Sequence, residues 1–404
     1  MSISYWHQWL RSLGTILLCL LPIPFLVGCI PFQFERPAQV HQVALGDLNG
    51  NGHLDAYLNI GSGGREPYVR PNYLLFNDGS GHFGDAEEFP QGWPDHAVTL
   101  ADLNASGLAD VLLTIDAGGL VHAVNLGHTF YSSGLSPPAR KGVGRLRPAV
   151  ADLNGNDHLD IFAAGCCGRE RALSPSDEHL LPYSQVWLNN GQGRFVGTGQ
   201  LIGNAGSNAA ALADLNGNGY PDAFLANGRT LDREGSYRTD TPNTVWFNDG
   251  EGMFQDSGQQ LGSAESLAVA LGDLNGNGFV DAVVGNRGAD EVWLNDGLGN
   301  FSDSDQRLGS GLTRAVYLAD LNGNGRLDLI VAGETEVQVW VNDDSGHFQS
   351  GQRIGHHRYE AIAVGDVTGD GQLDIFVAGV RAYQVWRGQG NGRFTADPRT
   401  DYRQ

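Results

Sequence analysis

The sequence predicts an all-β fold, a seven-bladed β-propeller of four-stranded blades, and three observations predict it. A nine-residue acidic motif recurs seven times, at 47–55, 102–110, 152–160, 214–222, 273–281, 320–328 and 366–374. The first Asp residues are spaced 55, 50, 62, 59, 47 and 46 apart, a period for four short strands. Short apolar runs flank each motif, and a Val-Trp-Leu-Asn-Asp-Gly-Leu-Gly-Asn-Phe unit or a relative follows. Finally, 58 of 404 residues are Gly, which argues against long helices, while 41% hydrophobic content is enough for a core.

The first 40 residues read differently. Residues 13–28 are apolar with Pro22 and Pro24 inside, sixteen residues where a spanning helix needs about 20. They have the shape of a secretory signal, assigned to 1–28. The run ends Leu26-Val27-Gly28-Cys29. That is similar to the lipobox of bacterial lipoproteins. The resemblance implies that Cys29 becomes a lipidated first residue, with 29–40 a short tether. Ile30 after it implies the outer membrane, on its periplasmic or surface side. Cys19 would leave with the signal, so Cys166 and Cys167 remain; a vicinal disulfide and two free thiols both stay open.

The propeller is assigned to 41–404. In each blade an apolar run such as 267–272 is strand A, and the acidic motif is the A–B loop. A second run such as 282–285 is strand B. The unit at 292–301 and its relatives at 74–83, 122–130, 186–195, 245–254, 339–348 and 385–394 are strand C and a tight C–D hairpin. Strand D starts at the Phe. Radial closure hides sheet edges, which lets so many strands avoid edge-to-edge pairing. Trp187, Trp246, Trp293, Trp340 and Trp386 share one strand-C position and are predicted to pack between blades. Phe32 or Phe34 is expected to begin a strand that pairs with the last blade and seals the ring.

The motif suits a hard divalent cation. Ca²⁺ takes six to eight oxygens, and a tight loop offers side-chain oxygens at positions 1, 3, 5 and 9 and a carbonyl at 7. Gly at position 6 permits the positive φ of the turn. The predicted ligands are Asp47, Asn49, Asn51, His53 and Asp55 in the first loop and Asp102, Asn104, Ser106, Leu108 and Asp110 in the second. The third has Asp152, Asn154, Asn156, His158 and Asp160; the fourth Asp214, Asn216, Asn218, Tyr220 and Asp222. The fifth has Asp273, Asn275, Asn277, Phe279 and Asp281; the sixth Asp320, Asn322, Asn324, Arg326 and Asp328; the seventh Asp366, Thr368, Asp370, Gln372 and Asp374. Ser106 is a weaker ligand than Asn, and Asp157 stands where the other loops have Gly, so these two loops are the poorest. His53 and His158 would bind through their carbonyls, with rings pointing outward. Position 8, from Leu54 to Leu373, is expected to plug the loop from below. Metal-free Asx turns are the alternative.

The loops, strands and hairpins together resemble the FG-GAP or VCBS repeats of integrin-α-type propellers over about 360 residues. The resemblance implies up to seven structural Ca²⁺ ions and a ligand on the face opposite the calcium loops. It departs from that family in using Asn where Asp is common at positions 3 and 5.

On that opposite face, six residues before each motif, stand His41, His96, Asn208, Arg314 and Glu360, with Leu146 and Leu267 completing the ring. They are the predicted ligand-binding rim, beneath long B–C connections in blades 1, 3 and 4. His356 and His357 read as loop surface. The net charge of −21 argues against a nucleic-acid partner. Two Asp in six loops and three in the seventh explain fifteen of the negative charges, which bound calcium would largely offset. Motifs of metalloproteases, serine hydrolases and nucleotide-binding enzymes are missing. The reading is a non-catalytic binding or scaffold lipoprotein of the cell envelope with a protein or glycan ligand. A calcium-dependent lectin and a polysaccharide-acting enzyme are the alternatives.

Overall fold

The structure, a computed structural model, describes residues 15–16, 32–33 and most of 39–400. Outside the described residues lie 1–14, 17–31, 34–38, 62–70, 90–94, 116–118, 128, 133–144, 167–182, 204–205, 229, 232–236, 239–240, 334–335, 356–360, 380–381 and 401–404. Contacts divide the chain into two units, Met1–Ala38 and Gln39–Gln404. In the first, Thr15–Ile16 pairs antiparallel with Phe32–Gln33.

The second unit holds seven four-stranded antiparallel sheets, each with its strands in the order A-B-C-D. It is the seven-bladed propeller. Strand B begins at the last Asp of the motif every time: Asp55–Gly61, Asp110–Ile115, Asp160–Cys166, Asp222–Asn227, Asp281–Asn286, Asp328–Gly333 and Asp374–Gly379. Both faces of strand B are covered by neighbouring blades, so it is a continuous apolar run with no alternation. The A strands of successive blades pack on one another around the centre. Strand D starts at Phe130, Phe195, Phe254, Phe301, Phe348 and Phe394, as predicted. Blade 1 differs: Phe83 makes an isolated bridge to Asn77, and strand D is Glu87–Glu88. Blade 4 adds an unpredicted ribbon in its B–C connection, Thr230–Leu231 with Tyr237–Arg238.

The core lies between blades. Trp187 packs with Leu112 and Leu120 of the blade before it, and Trp293 with Phe224 and Val245. Trp246, Trp340 and Trp386 do the same against blades 3, 5 and 6. Between blades 1 and 2, where that position holds Leu75 and Ala123, Phe89 takes over and contacts Tyr57 and Phe130 at 5.2 and 5.0 Å.

Side-chain clamps join the outer edges. Gln306 of blade 5 accepts the amide of Phe348 and donates to the carbonyl of Gly346 in blade 6. Gln259 repeats this at Phe301 and Gly299 of blade 5, while Gln200 and Gln352 accept the amide of Phe254 and Phe394 in blades 4 and 7 and donate to the carbonyl of that same Phe. The closing seam uses a phenol instead. Tyr383 Oη accepts the amide of Phe83 at 3.0 Å and donates to its carbonyl at 3.2 Å. Arg387 and Arg399, both held by Asp397, donate to the carbonyl of Ser80. The expectation that Phe32 or Phe34 seals the ring is therefore corrected for Phe32. Phe32 pairs with Ile16, Phe34 lies outside the described residues, and blade 7 supplies its own fourth strand, Phe394–Ala396.

Candidate metal loops and the opposite rim

The seven loops share one hydrogen-bond scheme. The Asp at position 1 caps amides of its own turn: Asp47 accepts Gly50 N–H at 2.7 Å and Gly52 N–H at 2.8 Å. The side chain at position 5 accepts the amide at position 7, as Asn51 does from His53 and Asn277 from Phe279. In these consecutive Asx turns Oδ1 of the position-1 Asp accepts two or three amides in the first loop and the third to sixth, whereas Oδ2 accepts one in every loop and keeps a second lone pair. At position 9 the Asp is fully buried in all seven blades. Its Oδ2 accepts the amide of position 2 at 2.9–3.2 Å. Its Oδ1 accepts an amide of strand C at 2.6–2.9 Å. This Asp thus ties the loop, strand B and strand C together.

Burial pushes the carboxyls of Asp55, Asp160, Asp281, Asp328 and Asp374 up from their ordinary value, and the neighbouring position-1 Asp adds to the effect at Asp55, Asp160, Asp281 and Asp328. Asp222 is pushed up to about 6 for the same reasons. A desolvated carboxylate beside a second one is the setting in which a cation binds. The position-3 oxygens Asn104 Oδ1, Asn154 Oδ1 and Thr368 Oγ1 are also buried with no hydrogen-bond partner, in the second, third and seventh loops, so an orphaned oxygen here does not separate one loop from another. Among the described residues no three His, Cys, Asp or Glu side chains cluster as a metal site. The predicted donor set of six loops, two carboxylates with amide or hydroxyl and carbonyl oxygens, does not require one; in the seventh, the three predicted carboxylates Asp366, Asp370 and Asp374 do not converge in this way. These donor types suit a hard cation; the second loop departs from the pattern.

Two details of the loop reading are corrected. The plug beneath the loop is position 2: Leu48, Leu103, Leu153, Leu215, Leu274, Leu321 and Val367 are buried, whereas position 8 is half-buried. The rings at position 7 do not point outward. A Cβ on Gly79 would fall 2.4 Å from His53 Nε2, and one on Gly191 2.2 Å from His158 Nε2. Tyr220 lies over Gly250 and Phe279 over Gly297 in the same way, so hairpin Gly makes room for the position-7 side chain.

The sequence reading missed the Asn that ends strand C. Asn295 Nδ2 donates to Val280 O in its own blade and to Leu215 O in the preceding one. Asn77, Asn125, Asn189, Asn248 and Asn342 do the same, with Asn77 reaching Val367 across the closing seam. Its recurrence in the hairpin unit was a visible signal, but it read as turn chemistry alone.

The opposite rim is partly assembled. Strand A slips register at His41, His96, Asn208, Leu267 and Arg314, each a single-residue bulge. Bulges re-aim side chains. His41 and Arg314 are exposed. Asn208 is half-buried and donates to Ser266 O at 2.7 Å, bridging blades 4 and 5. Blade 3 runs without a bulge, and Leu146 is fully buried rather than on the rim. Glu360, His356, His357 and Cys29 lie outside the described residues. Cys166 ends strand B of blade 3 and is disulfide-bonded, which removes the free-thiol reading for it; its partner sulfur lies outside the described residues. On the outer side of blade 4, a groove of about 440 Å³ is bounded by Trp246, Thr241, Asn227, Asp256 and Gln260.

Comparison with known proteins agrees with the repeat. Residues 273–331 and 320–377 match the family model for an FG-GAP-like repeat. No curated protein matches. Among solved structures, an Agrocybe aegerita lectin recognising non-reducing terminal N-acetylglucosamine is 21% identical, with TM-score 0.54, over 88% of this chain and 91% of that one. A functionally unknown protein from Desulfotomaculum acetoxidans is 15% identical, with TM-score 0.52, over 82% and 97%. BBS1N, solved in complex with ARL6DN, is 13% identical, with TM-score 0.55, over 88% and 95%. At these identities the likeness is one of fold. The chain is a seven-bladed propeller that carries FG-GAP-like repeats at 273–377.

Proposed function

We propose that this chain is a calcium-stabilised, non-catalytic binding scaffold, exported and held at the cell envelope by a lipid on Cys29. The observation that carries the binding reading is the set of bulges at one register position in five blades. They lie at the end of strand A opposite the metal loops, beneath the most variable connections. A rigid ring with variable loops on one face is a common platform for recognition. Calcium bound by the A–B loops would cross-link strands A and B and neutralise the buried Asp residues. The partner is a protein or glycan. A pull-down with the full chain, repeated with His41→Ala and Arg314→Ala together, tests the rim. Retention of every partner by that variant would refute the assignment. Loss of Cys29 should move the chain from the membrane fraction to the soluble one.

A lectin is the second reading. It is supported by the fold shared with an N-acetylglucosamine-binding lectin and by the groove beside Trp246. The interblade packing of the five Trp residues speaks against their serving as a repeated stacking platform. A glycan array with and without EDTA decides between the two readings.

A further inference from the structure

In blade 2 the buried loop carboxylate has a partner that the other blades do not supply. His122 stands on strand C opposite Leu112. The same register position holds Leu74, Val186, Val245, Val292, Val339 and Val385 elsewhere. His122 Nε2 lies 2.9 Å from Asp110 Oδ2, and both side chains are fully buried. The ring is wedged in place. It meets Phe195 edge-on at 5.7 Å, and a Cβ on Gly193 would fall 2.9 Å from its Cε1.

A carboxylate offers about four lone-pair sites. At Asp110 four donors converge. Oδ2 accepts the Leu103 amide at 3.2 Å and the imidazole at 2.9 Å. Oδ1 accepts the Asn125 amide at 2.7 Å and the Asn104 side-chain amide at 3.4 Å. The matching Asp takes two donors in blades 1, 3, 4 and 5. It takes three in blades 6 and 7. Blade 6 also turns its position-3 amide nitrogen to the carboxylate, Asn322 Nδ2 on Asp328 at 2.9 Å, so what sets Asp110 apart is the imidazole. The rest of the second loop has drifted as well. Ser106 replaces the amide or carboxylate at position 5. Ala105 holds a φ of 57° at position 4, where the other six loops have Gly.

We propose that the second loop is closed to calcium, and that the imidazole of His122 holds Asp110 there as an ion holds its counterpart in the other blades. An ion entering this loop would have to displace a donor and strand a buried imidazole N–H. The inference rests on the calcium reading of the other loops. The test is calcium content, measured by atomic emission on the full-length chain after stripping, reloading and gel filtration. The expected result is six ions per wild-type chain, six in Asp102→Asn and five in Asp273→Asn. His122→Val with Ser106→Asn, which restores the pattern of the other blades, should add one. A drop of one ion in Asp102→Asn, or a wild-type count of seven, overturns the inference. An unchanged count in the folded His122→Val/Ser106→Asn protein removes the role given to the imidazole. The absence of calcium from every protein would instead end the calcium reading itself.

Discussion

Replacing Asp290 by Asn should stabilise the propeller at neutral pH. Asp290 closes the short B–C turn of blade 5, where Oδ1 accepts the Asn286 amide at 2.8 Å and Oδ2 the Thr313 hydroxyl at 3.0 Å. It is 1% exposed, and burial pushes its carboxyl up to about 6, with the adjacent Glu291 contributing. The unfolded chain has the ordinary value of 3.8. The native state therefore binds this proton more tightly than the unfolded state. The stability that follows is complete below 3.8 and is lost as pH rises through about 6. Two pKa units correspond to about 3 kcal/mol, which the ionised group costs at pH 7 relative to a neutral isostere. The chain itself shows that Asn fits. Asn72 and Asn243 accept the end-of-strand amides of Ile60 and Asn227 at 2.8 and 2.9 Å in blades 1 and 4. Urea unfolding of both proteins at pH 7 and pH 4, at one calcium concentration, measures the difference. The variant should be more stable by about 2–3 kcal/mol at pH 7, with the gap nearly closed at pH 4. No gap at pH 7, or a gap indifferent to pH, would refute the reasoning.

Other outcomes follow from the same geometry. EDTA should lower the melting temperature, and each tenfold rise of free calcium above Kd should restore about 1.4 kcal/mol per occupied site; a melting curve indifferent to both argues for metal-free turns. Asn59 is fully buried with neither amide atom bonded, where four other blades have Ala, so Asn59→Ala should raise the unfolding free energy by about 1 kcal/mol. A clear loss would mean that an ordered water satisfies this amide. Tyr383→Phe should cost about 1–2 kcal/mol and speed hydrogen exchange at the Phe83 amide more than at the Phe348 amide, because only the closing seam depends on the phenol.

Much of the blade was legible because its information is local. The motif, the strand that starts at its last Asp, and the hairpin that ends in Phe lie within about 50 residues, and seven copies corroborate one another. Strand D of blade 1 was misplaced because Phe83 serves the closing seam, contacting Phe376 and Tyr383 of blade 7. The Gln clamps were invisible for a related reason. Gln200, Gln259, Gln306 and Gln352 recur at the spacings of the motif, but the period does not say what each meets, and Gln306 meets Phe348 at a separation of 42 residues. The departure at His122 could have been found by aligning the repeats, since one His stands in a column of Val and Leu.

By itself the sequence determined the number of blades, the place of every A–B loop and the residue types that suit a cation there. Such features follow from backbone requirements and short-range hydrogen bonding. Only the tertiary structure decided how the ring closes, which position plugs each loop and how many donors each buried carboxylate already holds. Those depend on groups from neighbouring blades meeting across an interface, and the chain order does not state which side chains will face one another there.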